Sequence, residues 1–590
     1  MKKRWIALCV ALALLLCGAA LAQAEEQAAT EYIEVRVVLG TPAIDAKVNV
    51  RKLPDADSAK VGALQPGELC TVHGRSGGWY EVELDGVVGY VREDLLKVKE
   101  TTQQVEKIVE EPLQASCEGF AVPFMEEPGS RIKLAGTVYS NIPMAQVRVV
   151  VRDLRRLSEE AVASQKFSRE EDVREFDLSA LSGASALSRL SSGEKEVLVQ
   201  VVSANEQADV ASAPMYISGK CADPVSITGQ CKIAVSRGSA SAFLDDSYST
   251  SWSPRSAEDT IKLRIPGEYT AGGLALEWDK APSKLEITLY DATGAVIRTI
   301  QETNPSRKWN LFYELEPEVS GLTIRSGDKD NGLNKLRVYA QGQIPQVVQQ
   351  WQDTPEKVDM MMILPHMNDE TLYFSGVLSQ LSAQGKSVLV VYMAGDDRDK
   401  HAEALDCLWT HGVRIHPVFV GFADYKTDTY GQAERLWGEE NTYRAMIGLI
   451  RQYKPDVVLT QDWDGEYGHN QHIMTARYCV RSVELAGDPE VFPEIAQAYG
   501  TWDVPKLYLH LWDEENRLEL GFEQPMEELN GLSPMQVAFI AMDKHYSQLH
   551  NPTYSLLVDG RDYDCTCFGL YRSLVGPDEA KNSFFEHIEE

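Results

Sequence analysis

From residue 357 onward, apolar runs at 358–364, 387–393, 415–420 and 457–460 alternate with stretches of helical period at 370–384, 400–411, 441–453 and 471–485. Near-continuous apolar strands separated by helices predict a Rossmann-like α/β domain over 355–590, with a parallel sheet covered on both faces. Upstream the period changes to two. Short alternating runs punctuated by Gly and Pro predict three all-β modules: a small barrel at 31–98, a β-sandwich at 117–220 and a third β unit at 225–343. A polar stretch at 99–116 reads as a linker, and the charged insert at 157–189 reads as partly helical. The predicted fold class is therefore multidomain, with all-β modules in front of one α/β domain.

The first 24 residues follow a different pattern. Lys2, Lys3 and Arg4 precede an apolar run over 5–16 and a small-residue cleavage pattern at 20–22 or 22–24, which predicts a signal peptide removed on export. An uncleaved anchor is the rival reading, but the run is short for a bilayer span. Cys17 follows Leu14, Leu15 and Leu16 rather than the small residue that a lipidation site needs. No later segment offers about 18 consecutive apolar residues, so no stable membrane span is expected beyond the leader, and the mature protein is predicted to be secreted or cell-wall associated.

Length and charge refine this picture. At 590 residues, the chain is long enough for about four domains. The 57 Lys and Arg against 88 Asp and Glu give a net charge of −31, and loss of the basic leader makes the mature chain more acidic still. Nucleic acid is therefore excluded as a partner. Ten cysteines spread over this length are too few for a disulfide-built scaffold. Cys117–Cys221 and Cys221–Cys231 are rival pairings, and Cys565 with Cys567 makes a weak metal-pair signal without a second pair.

In a parallel sheet the site lies beyond the carboxyl ends of the strands. Directly after the first apolar run stands Pro365-His366-Met367-Asn368-Asp369-Glu370, and shortly after the fourth stands Gly465-Glu466-Tyr467-Gly468-His469-Asn470-Gln471-His472. Two histidines and a carboxylate, His366, Asp369 and His472, are ligand types for a catalytic zinc that keeps a position open for water. Asp396 and Asp397, after the second run, are nearby acids, with helix capping as their ordinary use.

These two motifs, with "KPDVVL", "PKLYLH" and "KHYSQ" further on, resemble the PIG-L-like zinc de-N-acetylases of N-acetylglucosamine conjugates over about 358–548. The resemblance implies zinc ligands His366, Asp369 and His472. It implies that His469 protonates the leaving amine or stabilises the oxyanion, with Tyr467 donating to the same oxyanion. Asn368 occupies the place of the family's first Asp, its general base, and an amide cannot take that proton. Asn470-Gln471 stands where Pro-Asp is common, removing an acid expected to tune His469. The expected function is a secreted zinc-dependent hydrolase releasing acetate from an N-acetylated amino sugar or glycan. The alternative is a catalytically weakened or inactive cell-wall or glycan-binding protein retaining the fold.

The front modules carry resemblances of their own. "VNVRKLP", "PGE" and "GGWYEVELDGVVGYV" resemble the bacterial SH3-like domain, which implies binding to peptidoglycan or other cell-surface glycans, with Trp79 and Tyr90 suited to a groove. The strands at 132–140, 145–153 and 195–205 suggest an immunoglobulin-like sandwich. "DDSYSTSW" and "ITLYDATG" resemble the discoidin or galactose-binding-like jelly roll, in which Asp246 and Trp252 follow the first strand.

Overall fold

A computed structural model describes residues 32–106, 112–126, 130–153, 158–168, 170–183, 187, 190–219, 226–304, 307–329, 331–513, 516–548 and 562–588. The leader and Cys221 lie outside these residues. Cys117 and Cys231 are free thiols. The chain forms two compact units, 1–112 and 113–590.

The first unit holds one seven-stranded sheet around Val48, Val50, Leu64, Val82 and Val91. Trp79 and Tyr90 are both half-buried, and the Tyr90 hydroxyl donates to Glu81. The expected linker begins later than its composition suggests. Leu96–Glu106 is a strand that pairs along its whole length with Tyr32–Pro42. An antiparallel partner of equal length satisfies the backbone groups whatever the polarity of the side chains.

In the second unit, residues 115–217 build a three-stranded and a five-stranded sheet. The insert expected to be partly helical holds a long strand: Ser158–Lys166 pairs with Gln146–Asp153, and the helical residues described there are the short 3-10 turn Leu178–Leu181 and Leu187. Glu and Ala in this strand favour helix, but pairing that buries Val162 and Ala163 overrides local propensity. Residues 226–340 form another five-stranded and three-stranded pair of sheets. Trp252 is core here, with its indole N–H donating to the Arg237 carbonyl, so it offers no exposed sugar platform.

The α/β domain is a six-stranded sheet of β1 (Met360–Leu364), β2 (Val388–Ala394), β3 (Val418–Phe422), β4 (Val457–Thr460), β5 (Lys506–His510) and β6 (Phe568–Ser573), in the order β3-β2-β1-β4-β5-β6. The first five run parallel, and β6 closes the edge antiparallel to β5. Its helices are α1 (Asp369–Leu372), α2 (Ser375–Ala383), α3 (Arg398–Thr410), α4 (Tyr430–Trp437), α5 (Glu439–Tyr453), α6 (Asn470–Leu485), α7 (Pro493–Tyr499) and α8 (Pro534–Met542). Met360, Met362 and Leu364 face one buried layer, and Met361 and Ile363 face the other, which explains the unbroken apolar run. The strand order reverses between β1 and β4, so their carboxyl ends flank the crevice of the sheet.

The β segments of this unit are joined to the α/β domain by specific contacts. The Trp309 ring stacks on His401 at 4.3 Å, and its backbone N–H donates to His416 Nε2 at 3.2 Å. His416 Nδ1 in turn donates to the Pro417 carbonyl, which fixes the neutral tautomer. Arg398 lies 4.9 Å over both Tyr248 and Trp309, and Tyr216 donates to Asp543 while accepting from Lys544.

Burial pushes His401 down to about 4 and His416 to about 3. Both remain neutral in the fold, while their unfolded forms take up a proton below about pH 6.5. Their contribution is complete above that pH and is lost as pH falls toward the folded values, at about 1.4 kcal/mol per pH unit for each. The His416→Gln variant is expected to lose one such increment from the slope of stability against pH between 6.5 and 4.5, measured by denaturant unfolding. An unchanged slope refutes the assignment.

Candidate active site

Two turns build the site. After β1, the chain passes through Pro365 and His366 to Asn368, whose φ of 141° lies outside the usual range of a side-chain-bearing residue. Three hydrogen bonds hold it there. His366 N–H donates to Asp369 Oδ2, Asn368 N–H donates to Glu370 Oε2, and the Asn368 side-chain amide donates to Gln548 Oε1 at 2.6 Å. After β4, Gly465, Tyr467 and Gly468 all adopt positive φ. A Cβ on Gly465 would stand 2.7 Å from Ile473 and 2.9 Å from the His469 carbonyl, so only glycine permits a turn this tight. The turn carries Glu466 inward and starts α6, which bears His472.

The turns converge on one point. His366 Nδ1 is 3.2 Å from His472 Nε2 and 3.4 Å from Asp369 Oδ2, and His472 Nε2 is 3.5 Å from Asp369 Oδ1. Atoms bound at about 2.0–2.2 Å in a tetrahedron stand about 3.3–3.5 Å apart, and these spacings, with Asp369 presenting a different oxygen to each imidazole, are of that size. The opposite nitrogens support this. His366 Nε2 faces Gln471 Oε1 at 2.8 Å, and His472 Nδ1 faces the Glu466 carboxylate at 2.6 Å. Each of these nitrogens faces an acceptor and therefore carries a hydrogen, so in the neutral rings the two inward nitrogens are the ones free to bind a metal. A cation between them, a proton or a metal ion, offsets the repulsion of these donor atoms.

Glu466 is fully buried and also receives a hydrogen bond from His510 Nδ1 at 2.7 Å. Burial opposes its ionisation, but the hydrogen bonds from His472 and His510 outweigh it and hold the carboxyl well below the usual carboxylate range. His510 Nε2 donates to the Asp564 carbonyl.

His469 closes another side of the site. Its ring lies 4.9 Å from that of His366 and 4.8 Å from that of His472, and its Nδ1 is buried with no hydrogen-bond partner. His366, His469 and His472 offer nitrogens within 4.8 Å of one another, and Asp369 oxygens lie 3.4 Å from His366 Nδ1 and 3.5 Å from His472 Nε2. Burial, and then the neighbouring imidazoles, push His469 down to about 4, so it stands neutral at pH 7. The Tyr467 ring, 55% exposed, stands 5.5 Å from that of His472 and 5.7 Å from that of His469.

A second cluster of ligand types, Glu370, Cys407 and His545, lies buried. His545 Nε2 sits 2.7 Å from Glu370 Oε1, a hydrogen-bond distance too short for two ligands of one ion. This pair orders the turn around Asn368. Cys565 and Cys567 join no metal-ligating cluster among the described residues.

Asp397 caps α3, accepting from the Asp399 and Lys400 amides, as the sequence suggests, and Asp396 is exposed. Gln471 contacts His366 and the Ala423 carbonyl rather than His469, and Asn470 binds the Thr427 carbonyl, so the pair in place of Pro-Asp pins the loop after β3. Asp424 in that loop lies 3.6 Å from His366 Nε2 and 3.3 Å from Lys400 Nζ. Glu466, His510 and Asp424 were not singled out from the sequence. For Asp424 the available signal was its position just after an apolar run; Glu466 stood inside the second motif, and His510 ends the short run of β5.

Residues 361–483 match the family described as GlcNAc-PI de-N-acetylase, PIG-L, and residues 46–97 match the bacterial SH3 domain. The chain is 25% identical over 178 residues to the 1D-myo-inositol 2-acetamido-2-deoxy-alpha-D-glucopyranoside deacetylase 1 of Catenulispora acidiphila, covering 25% of this chain and 54% of that one. It is 26% identical over 185 residues to the corresponding deacetylase of Streptomyces avermitilis, covering 26% and 62%. The chain thus spans between about half and two thirds of the length of these relatives. Among solved structures, the N,N'-diacetylchitobiose deacetylase of Pyrococcus horikoshii is similar at 17% identity and a TM-score of 0.26, covering 32% of this chain and 71% of that one. Residues 361–483 are a PIG-L domain, carried on the same chain as a bacterial SH3 domain at 46–97.

Proposed function

We propose that this chain is a secreted, zinc-dependent de-N-acetylase of an N-acetylglucosamine-type amino sugar or glycan, with His366, Asp369 and His472 as the metal ligands. The observation that carries the reading is the convergence of His366 Nδ1, His472 Nε2 and the two Asp369 oxygens at 3.2–3.5 Å, with Glu466 and Gln471 on the outer nitrogens. Zinc held there would supply a Lewis acid for the acetyl carbonyl and lower the pKa of water. The chain's own groups do the rest. Tyr467 donates a hydrogen bond to the oxyanion, keeping its own proton, as the water oxygen bonds to the acetyl carbon. Asn368 cannot accept the water's proton, so neutral His469, with its unpartnered Nδ1, takes it and returns it to the nitrogen as the C–N bond breaks. Acetate and a free amine leave. The matches at 361–483 and 46–97 support an amino-sugar substrate and docking on cell-wall peptidoglycan or surface glycans. The leader pattern supports export, and no described helix is long and apolar enough to cross a membrane.

Zinc-loaded protein incubated with N-acetylglucosamine oligomers or peptidoglycan fragments is expected to release acetate. His469→Ala is expected to slow that release by about 10²- to 10⁴-fold at unchanged zinc content. No acetate from any amino sugar with zinc bound overturns the reading. Asn368 favours one alternative, a glycan-binding protein that keeps the fold and metal set without turnover.

A further inference from the structure

Three side-chain-bearing residues with left-handed or otherwise positive φ belong to the site or its rim: Asn368, Tyr467 at 46° and Tyr563 at 64°. Aromatic residues pay for this conformation and adopt it where surrounding structure imposes it. For Tyr563 the constraint is visible. The next residue, Asp564, accepts through its carbonyl from His510 Nε2, and its carboxylate accepts from the Thr566 amide and hydroxyl. His510 is tied through Glu466 to His472, so an unbroken hydrogen-bonded path fixes the Tyr563 backbone to a metal ligand. One flank of the Tyr563 side chain packs on the core beneath the sheet. Its ring meets that of Tyr467 edge to face, with centroids 6.2 Å apart and planes at 86°. Tyr467 in turn stands over His472 and His469. The result is a right-angled aromatic corner one ring away from the metal ligands, and Tyr563 comes from a segment outside the 361–483 match.

We infer that Tyr563 and Tyr467 form a sugar-binding corner in which the apolar face of an N-acetylated pyranose packs, holding its acetamido group toward His366, Asp369 and His472. This rests on the amino-sugar reading above. A pyranose presents axial C–H groups on one face and hydroxyls at its rim, so a half-buried ring beside an exposed one suits its face while the rim stays in water. Tyr563 is a specificity-determining residue in this scheme: it touches the sugar and not the scissile amide.

The test uses the full-length zinc-loaded protein and an N-acetylglucosamine tetramer, with affinity by calorimetry and KM and kcat by acetate release. Tyr563→Ala is expected to weaken binding and raise KM by about 3- to 10-fold, with kcat at saturation within about twofold. Tyr563→Phe keeps the ring and is expected to match the wild type, whereas Tyr563→Leu keeps bulk without the aromatic face and is expected to behave as the alanine variant. Zinc content and unfolding midpoint show that each variant is folded. Wild-type affinity in Tyr563→Ala, or equal weakening in Tyr563→Phe, overturns the corner while leaving the enzyme reading intact. A wild type that binds no amino sugar overturns that reading and the corner with it.

Discussion

Asn368→Asp is expected to accelerate acetate release by about 10²- to 10⁴-fold, the usual contribution of a positioned general base. The site is built to accept the change. Asn and Asp have the same shape, and the strained φ of 141° is enforced from outside the side chain by the Glu370 carboxylate on the Asn368 amide. The amide now donates to Gln548 Oε1, and a carboxylate in its place would accept from Gln548 once that side chain turned over. The nearest other acids have other partners: Asp369 lies against His366 and His472, Glu466 accepts from two histidines beneath it, Asp424 faces Lys400 and the outer nitrogen of His366, and Asp397 caps a helix. Initial rates at equal zinc content decide the matter. A large gain identifies a catalytic site weakened at one position; a wild type already as fast as the variant shows that His469 suffices as proton carrier and removes the binding-only alternative.

His472→Ala is expected to abolish zinc retention and, with it, acetate release. The residue is wholly buried, and its loss leaves His366 and Asp369 as two ligands where three converge. Glu466→Gln gives the graded version. The amide offers one acceptor oxygen where two ring N–H groups now need one each, and its NH₂ would face one of those donors. Loss of such an orienting partner typically weakens metal binding by about 10- to 100-fold. Chelator competition measures this directly, without reference to turnover. Zinc affinity unchanged in Glu466→Gln would show that the buried carboxylate does not orient the ligand, and full zinc content in His472→Ala would remove the proposed metal centre.

Much of this was legible along the chain because it depends on local pattern. Period two against period 3.6, together with unbroken apolar runs, distinguished the β-rich front from the α/β domain, since a strand covered on both faces has no polar side to show. The same topology located the His366 and His472 turns, because strand ends in a parallel sheet are where loops meet. Other features were hidden because their cause lies far away in sequence. Ser158–Lys166 is a strand because Gln146–Asp153 lies beside it. Leu96–Glu106 looks like a linker but is held by Tyr32–Pro42. Gln471 serves His366, 105 residues away, rather than its near neighbour His469.

What the sequence alone determined, then, is the pair of histidine-bearing turns, the β-then-α/β order and an amide rather than a carboxylate at Asn368: side-chain identities at the ends of strands whose apolar pattern names them. Only the tertiary structure decided which nitrogen of each histidine points inward, that Glu466 and His510 lie beneath the site, and that Tyr563 reaches its rim. Those outcomes depend on hydrogen bonds between residues brought together by the sheet order β1-β4-β5, and no local periodicity records the partner of a buried polar group.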